Sequence, residues 1–275
     1  MRCAITARTR PASHQARKRF GQNFLQDPRA IDRIHAAIAA MPGDRIVEIG
    51  PGHGAITKGL LTAVDSLDVI ELDRDLVGPL GDRLGPLGDL RIHQADALTF
   101  DLRTLVPEGT RLRIVGNLPY NISTPLMFRF LEQAEWIQDM HLMLQKEVVD
   151  RIVAEPGDKT YGRLSVMVQT RCTAECLFRI GADAFSPAPK VESAFLRLRP
   201  HRPLPYPIDD PALHARIVAA AFGQRRKTLR NSLSELVDQD LLVATGINPT
   251  LRAETLDVAS YARLANAACK FEPIP

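Results

Sequence analysis

With 275 residues, 45% of them hydrophobic and 24% charged, the chain has the composition of a soluble globular protein with room for roughly two domains of about 150 residues. No apolar run approaches the roughly 20 residues that span a bilayer, and no secretory apolar segment opens the sequence. The net charge of +3 is mild but unevenly placed: Arg2, Arg8, Arg10, Arg17, Lys18 and Arg19 precede the first acid, Asp27, and Arg225, Arg226, Lys227 and Arg230 form a second group. Two basic clusters around a balanced middle suit a polyanion such as RNA. The four cysteines (Cys3, Cys172, Cys176, Cys269) make no disulfide framework and fit a reducing cytoplasm. Cys172 and Cys176 lack a second pair at zinc spacing and read as small buried residues.

Residues 1–16 read as a basic, disordered arm rather than a transit peptide. Residues 17–25 mix basic, aromatic and amide groups ahead of a helix that starts at Asp27-Pro28 and carries an Ile31, Ile34, Ile38 stripe. Two readings stand side by side here: Phe20 and Phe24 pin the arm onto a sheet, or Gln22, Asn23 and Leu25 close over a ligand.

A strand from Arg45 then runs into Gly50-Pro51-Gly52-His53-Gly54-Ala55 and a helix through Ile56, Leu60 and Leu61. Glycines at that position let backbone approach a ligand at a helix N-terminus. Glu71 ends a second strand, Leu67 to Leu72, about 20 residues beyond Gly50, where an acid holds a ribose. This pattern supports a nicotinamide dinucleotide and S-adenosylmethionine equally. A third strand, Leu90 to Ala95, runs into Asp96, which either accepts from an adenine amino group or caps a helix. A fourth, Leu112 to Val115, ends at Gly116 and Asn117-Leu118-Pro119-Tyr120. The even spacing of Gly50, Glu71, Asp96 and Asn117 along alternating strand and helix patterns predicts a parallel sheet with one ligand across its carboxyl edge.

Further on, Ser123-Thr124-Pro125 opens a helix through Phe128 and Leu131, Asp139 to Leu144 reads as a strand, and Gln145 begins another helix. Tyr161 to Ser165 leads into an apolar helix or strand, and Phe178 to Ile180 is extended. A proline-set loop, Phe185 to Val191, precedes a last strand, Ala194 to Leu198, expected to form an antiparallel hairpin with the strand before it. Pro200, Pro203, Pro205 and Pro207 mark a linker. Beyond it, apolar stripes at Leu213, Ile217 and Ala221, at Leu229, Leu233 and Leu236, and at Tyr261, Leu264 and Ala268 predict a small helical domain. The expected division is 1–16, 17–203 and 204–275.

The chemistry concentrates at Asn117-Leu118-Pro119-Tyr120. The exocyclic amine of adenine is a poor nucleophile because its lone pair is delocalised into the ring. Two acceptors on its hydrogens, the Asn117 side-chain oxygen and the Leu118 or Pro119 carbonyl, draw the nitrogen toward tetrahedral geometry, and Tyr120 offers a stacking face worth about 1–3 kcal/mol. The plain alternative is a strand end followed by a turn, with Tyr120 in the core.

Eight segments in order carry a resemblance: Lys18 to Leu25, Glu48 to Gly52, Glu71-Leu72-Asp73, Asn117 to Tyr120, Gln145-Lys146-Glu147, Tyr161 to Ser165, Phe185 to Ser193, and Arg225 to Asn231. On these the chain resembles the bacterial small-subunit (16S) ribosomal RNA adenine N6,N6-dimethyltransferases, the kasugamycin-sensitivity dimethylase family. The last two segments favour it over the related antibiotic-resistance methylases of large-subunit RNA. The resemblance implies a Rossmann-like class I methyltransferase fold, α/β with a mostly parallel seven-stranded sheet, a terminal antiparallel hairpin and a small C-terminal helical domain. It implies that Asn23, Leu25, Gly50, Gly52, Glu71, Asp96 and Asn117 contact S-adenosylmethionine, that Asn117, Leu118, Pro119 and Tyr120 hold the target base, and that Phe185 packs on its other face. Lys18, Arg19, Arg225, Arg226, Lys227 and Arg230 are the expected RNA contacts. The implied substrate is two adjacent adenosines in a hairpin near the RNA 3′ end, within an assembling 30S particle, met by a cytoplasmic monomer without metal or membrane.

The expected reaction is direct in-line methyl transfer to N6, with water taking the released proton because the active stretch contains no acid. Two rivals remain. A nicotinamide-dependent oxidoreductase leaves Asn117 to Tyr120 and the basic helical domain without a role, and an assembly or transcription factor uses the same fold without essential catalysis.

Overall fold

The computed structural model describes residues 23–224 and 226–270. A two-residue strand β1 (Phe24–Leu25) precedes α1 (Pro28–Ile38), β2 (Ile46–Ile49), α2 (Thr57–Ala63), β3 (Ser66–Glu71), α3 (Arg74–Leu84) and β4 (Asp89–Gln94). Then come β5 (Leu112–Asn117), α4 (Ser123–Glu132), β6 (Ile137–Gln145), α5 (Lys146–Ile152), α6 (Arg163–Arg171), β7 (Cys172–Ile180), β8 (Phe185–Ser186) and β9 (Ser193–Pro200). The chain ends in α7 (Pro211–Gly223), α8 (Leu229–Ser232), α9 (Gln239–Ala244) and α10 (Val258–Lys270). Among the described residues no helix is long and apolar enough to cross a membrane.

Seven strands form one sheet in the order β4-β3-β2-β5-β6-β9-β7. The first five are parallel, and β9 lies antiparallel between β6 and β7. The chain turns outward in one direction from β2 to β4 and in the other from β5 to β6, so a crevice opens at the carboxyl ends of β2 and β5. A separate pairing of β1 with β8, Phe24 opposite Ser186 and Leu25 opposite Phe185, ties the start of the described chain to the loop before β9.

Both faces of the sheet are covered, which is why its central strands are mostly apolar rather than alternating. Successive residues serve opposite layers: Ile114, Leu142 and Leu196 belong to one core cluster, and Val115, Met143 and Phe195 to the other. One charged exception, Arg113 on β5, is buried. Its guanidinium donates to Asp139 at 3.0 Å, to Asp44 at 2.7 Å and to the Ile38 carbonyl at 2.7 Å, stitching α1 to the sheet.

Local signals worked where they were strong. Asp27 caps α1, its carboxylate accepting from the Arg29 N–H at 3.0 Å, and Ala30, Ile34 and Ile38 face inward. The ambiguous stretch after Tyr161 is helical, started by Ser165, whose Oγ accepts from the Gly162 N–H at 3.0 Å. One expectation is corrected. Cys172 is buried, but Cys176 is exposed, because β7 is the edge strand and a register shift falls between Cys176 and Phe178. A third core cluster joins Ile217, Leu229, Leu242 and Tyr261 to Ala154, Tyr161 and Val166. It therefore draws on residues from both sides of position 203. Tyr161 completes the junction by donating to the Leu256 carbonyl at 3.0 Å.

Candidate active site

A cavity of about 290 Å³ occupies the crevice at the carboxyl ends of the strands. It is lined by Gly50, Gly52, Glu71, Asp96 and every residue from Asn117 to Tyr120, with Asn23 and Leu25 closing it from the N-terminal side. The plain alternative for Tyr120 is thereby excluded: its ring is half-buried and faces open space continuous with the glycine turn.

The turn itself is built for close approach. Gly50 and Gly52 take φ of 65° and 57°, where side chains are strained, and a Cβ on Gly52 would lie 3.1 Å from the Phe24 ring. Glu71 fastens this turn to β3: one carboxylate oxygen accepts from the Gly52 N–H at 3.2 Å and the other from the Asp73 N–H at 2.8 Å. An ionised carboxylate has about four acceptor sites, so the group keeps capacity for a ligand. Burial raises the Glu71 carboxyl above its ordinary value, against backbone hydrogen bonds from Asp73, Gly52 and Leu72. Asp96 lines the cavity, and its carboxylate accepts from the Leu98 N–H at 2.9 Å, closing a turn rather than capping a helix.

The Asn117 amide is oriented by the backbone. Its Nδ2 donates to the Asn23 carbonyl at 3.0 Å, which turns Oδ1 the other way as a free acceptor. Leu118 is buried, and its N–H donates to the Met143 carbonyl at 3.1 Å. The Pro119 carbonyl accepts from the Ile122 N–H at 3.1 Å, so the tetrapeptide is locked into a turn. The Tyr120 hydroxyl meets Ser193 Oγ at 2.6 Å. Burial raises this phenol further above its ordinary value, keeping it neutral at any physiological pH.

Phe185 departs from expectation. Pairing of β8 with β1 turns its ring into the core beside Leu25, 5% exposed, and it does not line the cavity. Arg226, Lys227 and Arg230 are exposed around the start of α8. Lys18, Arg19 and Arg225 lie outside the described residues.

Several lining residues carried no assigned role, notably Glu48, His53 and Leu72. Glu48 is 2% exposed, its Oε2 has no partner, and burial pushes its carboxyl up to about 7. A lone acid inside the apolar run Ile46 to Ile49 was the available signal, since carboxylates are seldom fully buried without a partner. Together with Glu71, Asp73 and Asp96 it gives the cavity four carboxyl groups and, among the described residues, no lysine or arginine. That lining favours a cationic ligand and repels the pyrophosphate of a dinucleotide. Among the described residues no cluster of three or more potential metal ligands occurs.

A family model described as ribosomal RNA adenine dimethylase matches residues 13–270. The chain is 52% identical over 259 residues to the ribosomal RNA small subunit methyltransferase A of Marinomonas sp. (strain MWYL1), covering 94% of this chain and 97% of the relative. It is 55% identical over 253 residues to the protein of the same name from Pseudomonas aeruginosa, covering 92% and 94%. Among solved structures, a dimethyladenosine transferase from Plasmodium falciparum superposes with a TM-score of 0.77 at 24% identity, covering 88% of this chain and 95% of that one. The 23S rRNA methyltransferase ErmE gives 0.68, also at 24% identity, covering 90% and 100%. These two likenesses concern the fold alone.

Proposed function

This chain belongs to the ribosomal RNA adenine dimethylase family, and we propose that it uses S-adenosylmethionine to dimethylate N6 of two adjacent adenosines in a hairpin near the 3′ end of small-subunit ribosomal RNA. In this reading it acts as a cytoplasmic monomer on an assembling small subunit. The observation that carries the proposal is the single cavity shared by the glycine turn, Glu71 and Asn117 to Tyr120.

The residues fit S-adenosylmethionine. A buried carboxyl oxygen of Glu48 without a partner, in a cavity lined by no lysine or arginine among the described residues, suits a sulfonium and an α-ammonium. Glu71 takes the ribose hydroxyls, Asp96 the adenine amino group, and Asn23, Leu25, Gly50, Gly52 and Asn117 complete the cradle. When bound, the cofactor supplies a methyl group on a positively charged sulfur, which keeps the bonding pair as adenine N6 takes the carbon.

The chain's own contribution is to position the base and shape its amine. Tyr120 stacks on the extruded adenine. Asn117 Oδ1 accepts one N6 hydrogen. The Pro119 carbonyl already has one donor in the Ile122 N–H, so the Leu118 carbonyl is the readier second acceptor. Both bonds strengthen as N6 becomes tetrahedral, so they act on the transition state more than on the ground state. The tetrapeptide contains no carboxylate and its phenol stays neutral, so the N6 proton passes to water. Lys18, Arg19, Arg225, Arg226, Lys227 and Arg230 hold the RNA backbone.

Undermethylated small subunits incubated with methyl-labelled S-adenosylmethionine test the proposal. Label in two adjacent adenosines of the 3′ hairpin, as N6,N6-dimethyladenosine, is the expected result. Label in large-subunit RNA, or none, contradicts it.

A further inference from the structure

Tyr120 has one polar side-chain atom, and the fold supplies it with a partner 73 residues further along the chain. Ser193 opens β9, where the backbone is paired on both sides: it stands opposite Gln145 on β6 and opposite Ile180 on β7. The adjoining Glu192 carbonyl also accepts from the Lys146 N–H at 2.9 Å. Ser193 is fully buried and does not line the cavity. Its Oγ is therefore a fixed point behind the site, 2.6 Å from the phenol oxygen.

A tyrosine ring is oriented by two side-chain torsions. Anchoring its far end to a hydroxyl held on the middle strand of a three-strand pairing fixes the direction of the ring's long axis, which the first torsion sets. Because a phenol's hydrogen bonds prefer the plane of its ring, the anchor also biases the turn of the ring about that axis. We propose that Ser193 is a positioning residue for methyl transfer, whose Oγ holds the Tyr120 hydroxyl and so fixes the axis, and biases the plane, of the ring on which the target adenine stacks. The inference rests on the reading of Tyr120 as the base platform.

The two transfers differ in how much they need that plane. Unmodified adenine presents two N6 hydrogens, one for Asn117 Oδ1 and one for the Leu118 carbonyl. Monomethylated adenine keeps only one, so one of the two polar anchors is gone and the stacking ring carries more of the alignment. Loosening the ring consequently slows the second transfer more than the first, and monomethyladenosine accumulates.

The test uses the full chain, undermethylated small subunits and S-adenosylmethionine, with nucleosides quantified after digestion. Ser193→Ala and Tyr120→Phe each remove the same hydrogen bond from opposite ends, so a folding defect in one leaves the other to decide. Each is expected to slow the second transfer about tenfold, the equivalent of roughly one hydrogen bond, and the first by less than about threefold. The KM for S-adenosylmethionine should stay within about twofold, and Ser193→Thr should restore dimethylation. The double variant should be no worse than either single one, because both remove one interaction. A wild-type product ratio in Ser193→Ala and Tyr120→Phe, or effects that multiply in the double variant, overturns the inference. Tyr120→Ala separates the two levels. If it leaves turnover intact, the platform reading itself fails; if it abolishes turnover while Ser193→Ala behaves as wild type, only the role of Ser193 falls.

Discussion

The Asn117 amide donates to the backbone carbonyl of Asn23 at 3.0 Å, joining residues 94 positions apart. A carbonyl can only accept, so the amide nitrogen must face it and Oδ1 must face the cavity. The segment that follows the basic arm in sequence thus determines which way the acceptor for the target amine points. Asn117→Asp keeps the shape but replaces the donor with an oxygen that repels the Asn23 carbonyl. Methyl transfer is expected to fall by about 100-fold or more, the scale on which single transition-state hydrogen-bonding groups act. Single-turnover assays with saturating cofactor measure this; a loss below about threefold would remove Asn117 from the chemistry.

Glu48 gives the protein a pH dependence of stability. Burial holds its carboxyl at about 7 in the folded chain, against 4.5 ordinarily. Between those values the folded state keeps a proton that the unfolded state has released, so stability is greatest below the lower value and declines as pH rises through the window. The loss is on the order of 3 kcal/mol between pH 4 and pH 8. Glu71, also raised by burial, acts in the same direction. Urea melts of the cofactor-free protein should show this decline, and Glu48→Gln should flatten it. A variant that retains the wild-type slope contradicts the assignment.

Lys227 and Arg230 are exposed beside Leu229, a buried residue that roots the start of α8 in the helical core. Replacing either with Ala should weaken RNA binding without altering cofactor affinity. The slope of log affinity against log salt should shrink by about 0.7–0.9 for each phosphate that is no longer neutralised. An unchanged slope in both variants takes this surface out of the interface.

Much of this arrangement was legible in the chain before folding. The strand ends at Gly50, Glu71, Asp96 and Asn117 follow from hydrophobic periodicity, and they meet around one cavity because parallel strands in a twisted sheet present their carboxyl ends together. What was not legible depends on tertiary pairing. Nothing near Ser193 announces Tyr120 as its partner, and nothing in Phe185 foretells that pairing with Leu25 turns its ring away from the cavity. Cys176 looked like Cys172 because edge strands and central strands differ in their neighbours, not in their own residues. Glu48 is the instructive case. Its oddness inside an apolar strand was visible, but its meaning came only with the lining of the cavity. There the acids Glu48, Glu71, Asp73 and Asp96 face no lysine or arginine among the described residues, which favours a sulfonium ligand over a dinucleotide.

The central claim divides the cavity into a cofactor end at Glu71 and a base end at Tyr120, and one paired measurement addresses it. Turnover and calorimetric affinity for S-adenosylmethionine are determined for Tyr120→Ala and Glu71→Ala. Tyr120→Ala should lose about 100-fold or more in turnover with cofactor affinity within about threefold, while Glu71→Ala should bind no measurable cofactor. Equal loss of both quantities in Tyr120→Ala, or wild-type affinity in Glu71→Ala, contradicts the account.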